Sequence, residues 1–466
     1  MKRICLIIDN PLRDFDGIVL IAAYLMVKNF EVFIVPMNAQ NSDALSLNPD
    51  VVLVNYIRKN NLEILNLYKN RGIKVAILDT EGVGKWWPKH AQILRDMKAD
   101  KVVDQYYCWG KEQHDHLVSS ESLDHKKIKI TGCPRYDFAV QPWRNTLQPT
   151  GIPPGYILIN TNFPLANPFF TKNSKTEIKS WINTGLTSKN NAEKFLIKTN
   201  ELFKEIIKAI ETISTKLPEI QFIIRPHPFE DMSVYKKIEN KIPNVLVRKE
   251  GTSLQWLHMA KALLHINCFT AIEAGFMDIE ALALEWVNKK EIRDHSNEPS
   301  LVSRNATNID ELINWIKLLD DNSFTISKTE EQYKNLKEIQ INNYCGIDGF
   351  SAKRVSENLI ELANQTSKPV KNFTNKLSFV RLANLKAREF LGYKIYSSIR
   401  IILEFLISDP KKRKQIPDLE TIEALLLKIM KIKSKRHKFT VNYATKSDFH
   451  SPRQAAFKSI KIRKCG

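Results

Sequence analysis

Met1-Lys2-Arg3-Ile4-Cys5-Leu6-Ile7-Ile8-Asp9-Asn10 opens the chain, and the reading of its apolar centre decides the fold. An apolar run behind two cations superficially suggests a leader peptide. The run is too short for that, because Asp9, Asn10, Arg13, Asp14 and Asp16 follow at once. A strand buried on both faces accounts for it better. Working outward, Gly17–Lys28 has the spacing of a helix and Glu31–Pro36 that of another strand. Val51–Asn55, Lys74–Leu78, Lys101–Cys108 and Lys127–Thr131 continue as short apolar segments bounded by polar residues. Alternation of this kind predicts a parallel sheet covered by helices.

The pattern stops at Gln141–Gly155, where prolines stand at 142, 149, 153 and 154, and a linker is expected there. A second α/β series follows. Tyr156–Ile159, Gln221–Ile224, Val245–Arg248 and Ala262–Ile266 read as strands. Ala192–Leu217, Ser253–Ala260, Thr270–Met277, Ile309–Leu319 and Ser351–Ala363 read as helices. The expected organisation is a doubly wound domain over residues 1–145, a second over 146–365, and a basic helical extension over 366–466.

Charge marks off that last segment. From Thr366 onward there are 24 Lys and Arg against 7 Asp and Glu, a net +17 in a chain whose total is +19. Leu377–Ile407 and Leu419–Ile432 have helical spacing, and Asp409-Pro410-Lys411-Lys412-Arg413-Lys414 lies between them, with Lys431–Lys438 as a second basic cluster. Aromatic and apolar residues interleaved with lysine and arginine suit an anionic lipid surface. A solvated helical extension has the same composition. No helix-turn-helix, zinc finger, RNP or KH signature accompanies the charge, so no nucleic-acid partner is expected. The six cysteines, at 5, 108, 133, 268, 345 and 465, form no CxxC pair, and no apolar stretch is long enough for a membrane span. A cytoplasmic protein held at the inner face of the membrane is the expected location.

In open α/β sheets ligands bind beyond the carboxyl ends of the strands. Five polar clusters fall at such ends. Arg225-Pro226-His227-Pro228 holds an imidazole between two prolines, where it can donate to a phosphate oxygen; a rigid turn with an exposed His fits the same residues. Asn267-Cys268-Phe269-Thr270-Ala271-Ile272-Glu273-Ala274 places Thr270 at a helix start. Glu273 is then either the partner in a capping box or a ribose ligand. Asn160-Thr161-Asn162-Phe163 offers amides and a hydroxyl, or an Asx-type turn. Asp79-Thr80-Glu81-Gly82 sets acids beside glycine, as general acid/base work requires, or as a capped turn. Gly132-Cys133-Pro134-Arg135-Tyr136-Asp137 presents Arg135 and Asp137 on a tight turn.

Other patterns carry less. Asp14-Phe15-Asp16 has the Asp-x-Asp form of a metal site but precedes a helix, where acids belong on dipole grounds. Gly82-Val83-Gly84 lacks the third glycine of a dinucleotide fingerprint, and there is no GxxxxGK[ST] loop. His114 and His116 have no further ligands at metal spacing, so no metal and no cofactor are expected.

The five clusters, in this order, resemble those of bacterial surface carbohydrate biosynthesis proteins of the GT-B fold, related to the retaining β-Kdo transferases of capsule and lipopolysaccharide synthesis. The His-Pro element is also similar to that of bacterial sialyltransferases and CDP-glycerol glycerophosphotransferases. The resemblance covers residues 1–365. It implies two Rossmann-like domains facing a cleft and a metal-independent glycosyltransferase that takes Kdo or a related ulosonic acid from a CMP-linked donor. The donor would be held by Arg225, His227, Pro228, Asn160, Asn162, Thr161, Thr270 and Glu273. The saccharide or lipid-linked acceptor would meet Asn10 and Arg135 in the first domain. Glu81 is the implied general acid/base, Asp137 a nucleophile or electrostatic stabiliser, and Asp79 a further catalytic acid. The sialyltransferase pattern has two adjacent acids, whereas Thr80 separates Asp79 from Glu81 here, which leaves open the acting acid and the stereochemical course. Transfer from CDP-glycerol or a UDP-sugar, and a GT-B binding protein without activity, are the alternatives.

Overall fold

The computed structural model describes residues 1–147, 150–183, 189–288, 297–321, 328–365, 418–433 and 437–465, with isolated positions between 386 and 398. In chain order the strands are β1 (Arg3–Ile8), β2 (Glu31–Pro36), β3 (Val51–Val54), β4 (Lys74–Leu78), β5 (Gln105–Cys108), β6 (Ile128–Ile130) and β7 (Tyr156–Asn160). They continue as β8 (Phe222–Arg225), β9 (Val245–Val247), β10 (Ala260–His265), β11 (Glu280–Leu284), β12 (Arg304–Ala306), β13 (Phe439–Tyr443) and β14 (Ile460–Lys464). The principal helices are α1 (Pro11–Val27), α2 (Lys189–Lys216), α3 (Ser253–Met259), α4 (Thr270–Phe276), α5 (Ser351–Asn364) and α6 (Leu419–Ile432). They belong to two Rossmann-like α/β units, one of residues 1–146 with 340–466 and one of residues 147–339.

The first unit carries the sheet β13-β14-β2-β1-β3-β4-β5-β6. β1 to β6 are parallel, and strands such as β2 and β3 are buried throughout, as an apolar run covered by helices requires. The strand order turns around between β1 and β3. In the second unit the order β12-β11-β10-β7-β8-β9 is wholly parallel and turns around between β7 and β10. Such reversal points leave a crevice at the carboxyl ends of the strands, since the chain leaves to opposite faces on either side.

Three expectations are corrected here. α1 begins at Pro11, with Asn10 as its cap, rather than at Gly17. Proline is favoured at the first helical position because the N–H it lacks would have no helical partner. α5, expected to close the second domain, packs on α1 in the first unit. Its buried side chains Ala352, Val355, Leu359, Leu362 and Ala363 recur at helical spacing, and the Arg354 side chain ties it to the Thr131 carbonyl at 2.7 Å.

The third correction concerns the C-terminal segment, which is more than a helical extension. α6 is capped by Asp418 and packs Ile422, Leu425, Leu426 and Ile429 inward, with α1 as its main neighbour. β13 and β14 form an antiparallel hairpin that adds to β2, with Ile460 opposite Ile34 and Ile462 opposite Val32. Asp43, fully buried, accepts hydrogen bonds from the amides of Ala456, Lys458 and Ser459 and from the Ser459 hydroxyl. Lys461 meets Glu31 at 2.7 Å and Asp448 at 2.5 Å. The basic run Asp409–Lys414 and most of Leu377–Ile407 lie outside the described residues. Among the described residues no helix is long and apolar enough to cross a membrane.

Candidate functional site

Each reversal point holds a recess. That of the first unit is lined by Asp14, Asn55, Asp79, Thr80, Trp109 and Arg135 over the apolar strand ends Ile7, Leu53 and Leu78, and has room for about 40 Å³. Asp79 follows β4 directly and is 1% exposed. Its Oδ1 accepts the Glu81 amide at 3.1 Å and its Oδ2 the Tyr106 hydroxyl at 3.3 Å. Burial pushes this carboxyl up to about 7, against the pull of the Arg58 guanidinium 3.9 Å away. Glu81 differs. Its side chain is 58% exposed, 3.7 Å from the same guanidinium, and is not part of the recess lining.

The segment after β4 is held in place by tryptophans. Trp109 donates from Nε1 to the Asp79 carbonyl at 2.8 Å, and Trp87 to the Glu81 carbonyl at 3.1 Å. A Cβ at Gly82 would lie 2.2 Å from the Trp109 ring, so only glycine fits there. Arg135 lies against the rings of Trp109 and Tyr136, 4.8 and 4.6 Å from their centroids, and donates to the Tyr136 hydroxyl at 2.6 Å. Stacking of this kind holds a guanidinium at a wall of the recess.

Two expected site residues have other work. Asn10 accepts the Leu12 amide at 3.1 Å as the α1 cap and does not line the recess. Asp137, expected as a nucleophile or stabiliser, is 1% exposed and accepts the amides of Ser351 at 2.9 Å and Ala352 at 2.8 Å. Both oxygens hold the first turn of α5, and Asp137 is not among the residues that line the recess. Burial also pushes its carboxyl up, to about 6, which the amides oppose.

In the second unit Asn160, Thr161, Asn162 and Phe163 after β7, and His265, Asn267, Cys268 and Phe269 from β10 onward, line a crevice of about 200 Å³ under α2. The Asn160 Oδ1 is buried and has no protein partner. Glu230, fully buried, joins this loop to the His-Pro loop. It accepts the Thr161 hydroxyl at 2.8 Å, the Phe163 amide at 3.0 Å, the His227 amide at 3.1 Å and the Tyr235 hydroxyl at 2.5 Å.

His227 accepts the Phe229 amide on Nδ1 at 3.2 Å. The neutral ring therefore carries its proton on Nε2, which makes it a donor. Arg225, the last residue of β8, is 7% exposed and bonds the Gly251 carbonyl, while its buried Nε has no protein partner. Burial brings its guanidinium down to about 10, although Glu273 and Glu250 favour the charged form. Lys249 adds a second cation, bonded to the Glu230 carbonyl at 2.6 Å.

The capping box expected at Thr270 and Glu273 does not form. Phe269 is the cap of α4, the Thr270 hydroxyl donates to the Cys268 sulfur at 3.1 Å, and Glu273 accepts from the Ser253 hydroxyl at 2.5 Å. A capping box does form at α3, between Thr252 and Gln255. Buried His265 stays neutral, brought down to about 3 by desolvation, and pairs with the Ser303 hydroxyl at 2.8 Å.

Asn55, Glu230, Trp109 and Lys249 were not singled out from sequence. Asn55 had a usable signal, a polar residue directly after the buried run Val51–Val54, as Asp79 and Asn160 are placed in their own strands.

No family model and no curated protein matches the chain. Among solved structures, it is similar to UDP-GlcNAc 2-epimerase from Methanocaldococcus jannaschii in complex with UDP-GlcNAc and UDP, at 12% identity and a TM-score of 0.44, over 77% of this chain and 99% of that one. It is similar to UDP-GlcNAc 2-epimerase from Neisseria meningitidis bound to UDP-GlcNAc at 14% and 0.44, over 78% and 100%. The wall teichoic acid polymerase TagF follows at 10% and 0.49, over 78% and 89%. At such identities and scores these likenesses carry no inference about activity.

Proposed function

We propose that the chain is a glycosyltransferase of bacterial surface polysaccharide synthesis, moving Kdo or a related ulosonic acid from a CMP-linked donor to a saccharide acceptor. The observation that carries this is the end of β8. Arg225, with a buried Nε lacking a protein partner, and His227, fixed as an Nε2–H donor, stand together beside a crevice at a strand-order reversal. Two donors of this kind suit the phosphate of a nucleotide leaving group. In the proposed reaction the bond from the anomeric carbon to the CMP phosphate breaks, and an acceptor oxygen forms the new bond. Asp79 takes the hydroxyl proton, for which a carboxyl near 7 is well matched at neutral pH. Asp79 is proposed for this role over Glu81 because Asp79 lines the recess and Glu81 does not. The basic residues between 366 and 418 are proposed to hold the protein to an anionic membrane surface, on the strength of their charge alone.

One observation favours a second reading, transfer of a glycerophosphate or of a UDP-linked sugar. With Asp137 bonded to α5 and outside the recess lining, one of the carboxylates that the ulosonic-acid reading assigns to the reaction is not in the first recess. A thermal-shift panel of CMP, CDP, UDP, UMP, GDP and ADP separates the readings. A ligand at about 100 times its dissociation constant stabilises by about 2.7 kcal/mol. The expected result is a CMP-selective shift that His227→Ala removes; a CDP or UDP preference favours the second reading, and no shift with any nucleotide overturns both.

A further inference from the structure

We infer that Asn55 selects the acceptor, by reading one hydroxyl group of its sugar in the floor of the first unit's recess. The inference rests on the proposed reading of that recess as an acceptor site. Asn55 follows β3 at the point where the strand order turns around, and its backbone is fixed there by the Thr80 amide, which donates to the Asn55 carbonyl at 3.0 Å. The residue is 6% exposed, yet neither Oδ1 nor Nδ2 has a partner within the protein. Leaving a buried polar group unsatisfied costs about 1–3 kcal/mol, and native interiors contain few of them. Here both ends of one amide are open in a recess that it lines.

The chemistry of the recess narrows the ligand. A primary amide has one end that donates and one that accepts, which matches a hydroxyl group, itself both donor and acceptor. The lining carries both signs, Asp14 and Asp79 against Arg135, so its charge does not single out an anion, and Asn55 itself brings no charge. Size points the same way. A water-sized group needs about 10–15 Å³ by this measure, so about 40 Å³ admits a hydroxyl and its carbon but no sugar ring. The ring would stay above, toward Trp109 and Arg135, with one hydroxyl inserted. A site that hydrogen-bonds a substrate hydroxyl rejects the analogue lacking it, since its own buried groups are then left unpaired.

The test uses the full chain and a panel of neutral sugars (glucose, galactose, mannose, rhamnose and N-acetylglucosamine), with binding read by saturation-transfer NMR. The monodeoxy derivatives of whichever sugar binds are then compared. The wild type is expected to discriminate against loss of one hydroxyl. In Asn55→Leu, similar in size but apolar, binding is expected to weaken by about ten-fold or more and that discrimination to vanish. Should the leucine variant fail to fold, Asn55→Ser supplies the same comparison with a smaller side chain. Unchanged discrimination in a folded variant overturns the inference, as does a wild type that binds none of the panel. The CMP melting shift is the internal control: its persistence in Asn55→Leu keeps the donor reading alive whatever the sugars do, and its absence in the wild type removes that reading separately.

Discussion

Asp79 in the first unit and Glu230 in the second are both buried carboxyl groups at the carboxyl ends of parallel strands, and desolvation raises both above their ordinary range. Their surroundings differ. Glu230 receives four donors, from two loops and a tyrosine, and is not among the residues that line the second unit's crevice. Asp79 receives two donors and faces a recess. A buried carboxylate whose acceptor sites are filled is a fastening; one that keeps capacity to spare and meets a cavity is available for proton transfer. Burial alone would not have told the two apart.

The comparison extends to a third carboxylate, and the largest expected effect comes from there. Asp43 has five donors, four of them supplied by Ala456, Lys458 and Ser459 and the fifth by the Ser42 hydroxyl. Deleting residues 418–465 removes four of these five donors and opens the β2 edge, so the first unit is expected to lose its cooperative thermal transition by calorimetry. Deleting 367–416 instead should keep the transition and, if the membrane proposal holds, release the protein from anionic vesicles in flotation. A soluble product of the first deletion that keeps the first unit's transition would break the assignment of Asp43 as a fastening.

Asp79→Asn comes next, with transfer falling by about 10²–10⁴-fold, the range of a lost general acid or base. Stability should move the other way. Asp79 titrates near 7 in the fold against an ordinary 3.8, so between those values the native state holds a proton that the unfolded chain has released. Stability of the wild type therefore falls as pH rises through that window. The asparagine variant lacks this slope and should gain melting temperature relative to wild type at pH 8 more than at pH 4. Transfer retained within ten-fold would make Asp79 another fastening.

Glu230→Ala has the smallest expected effect, a loss of about 3 kcal/mol, read as a melting point about 6–12 °C lower. The pH dependence of any remaining transfer should match that of the wild type. A melting point within about 2 °C of wild type would erase the distinction between the two acids.

Much of the fold was legible because strands buried on both faces announce themselves. Lys74–Leu78 and Leu419–Ile432 have the bounds their apolar residues suggest. The C-terminal strands were misread for a physical reason. Ile460-Lys461-Ile462-Arg463-Lys464 sets isoleucine inward and basic residues toward solvent or Glu31, the pattern of an edge strand, but within a basic segment its lysines drew attention as charge. Sequence also gave no way to see that Asp137 meets residues 351 and 352, more than two hundred positions away. Strand-end residues were more legible than their roles. Arg225, His227, Asn160 and Asp79 were found by their position after apolar runs, whereas Glu230 and Asn55 depend on what does or does not bond to them.

The hairpin that completes the first sheet also bears on the order in which the protein can be made. Residues 147–339 form one unbroken stretch, so the second unit has all its parts once residue 339 has left the ribosome. β2 is synthesised by residue 36 but meets β14 only after residue 464. At about 5–20 residues per second the delay is on the order of 20–90 s. Throughout that interval Val32 and Ile34 lie on a strand with an open edge, so the half of the molecule that starts first is the half that finishes last.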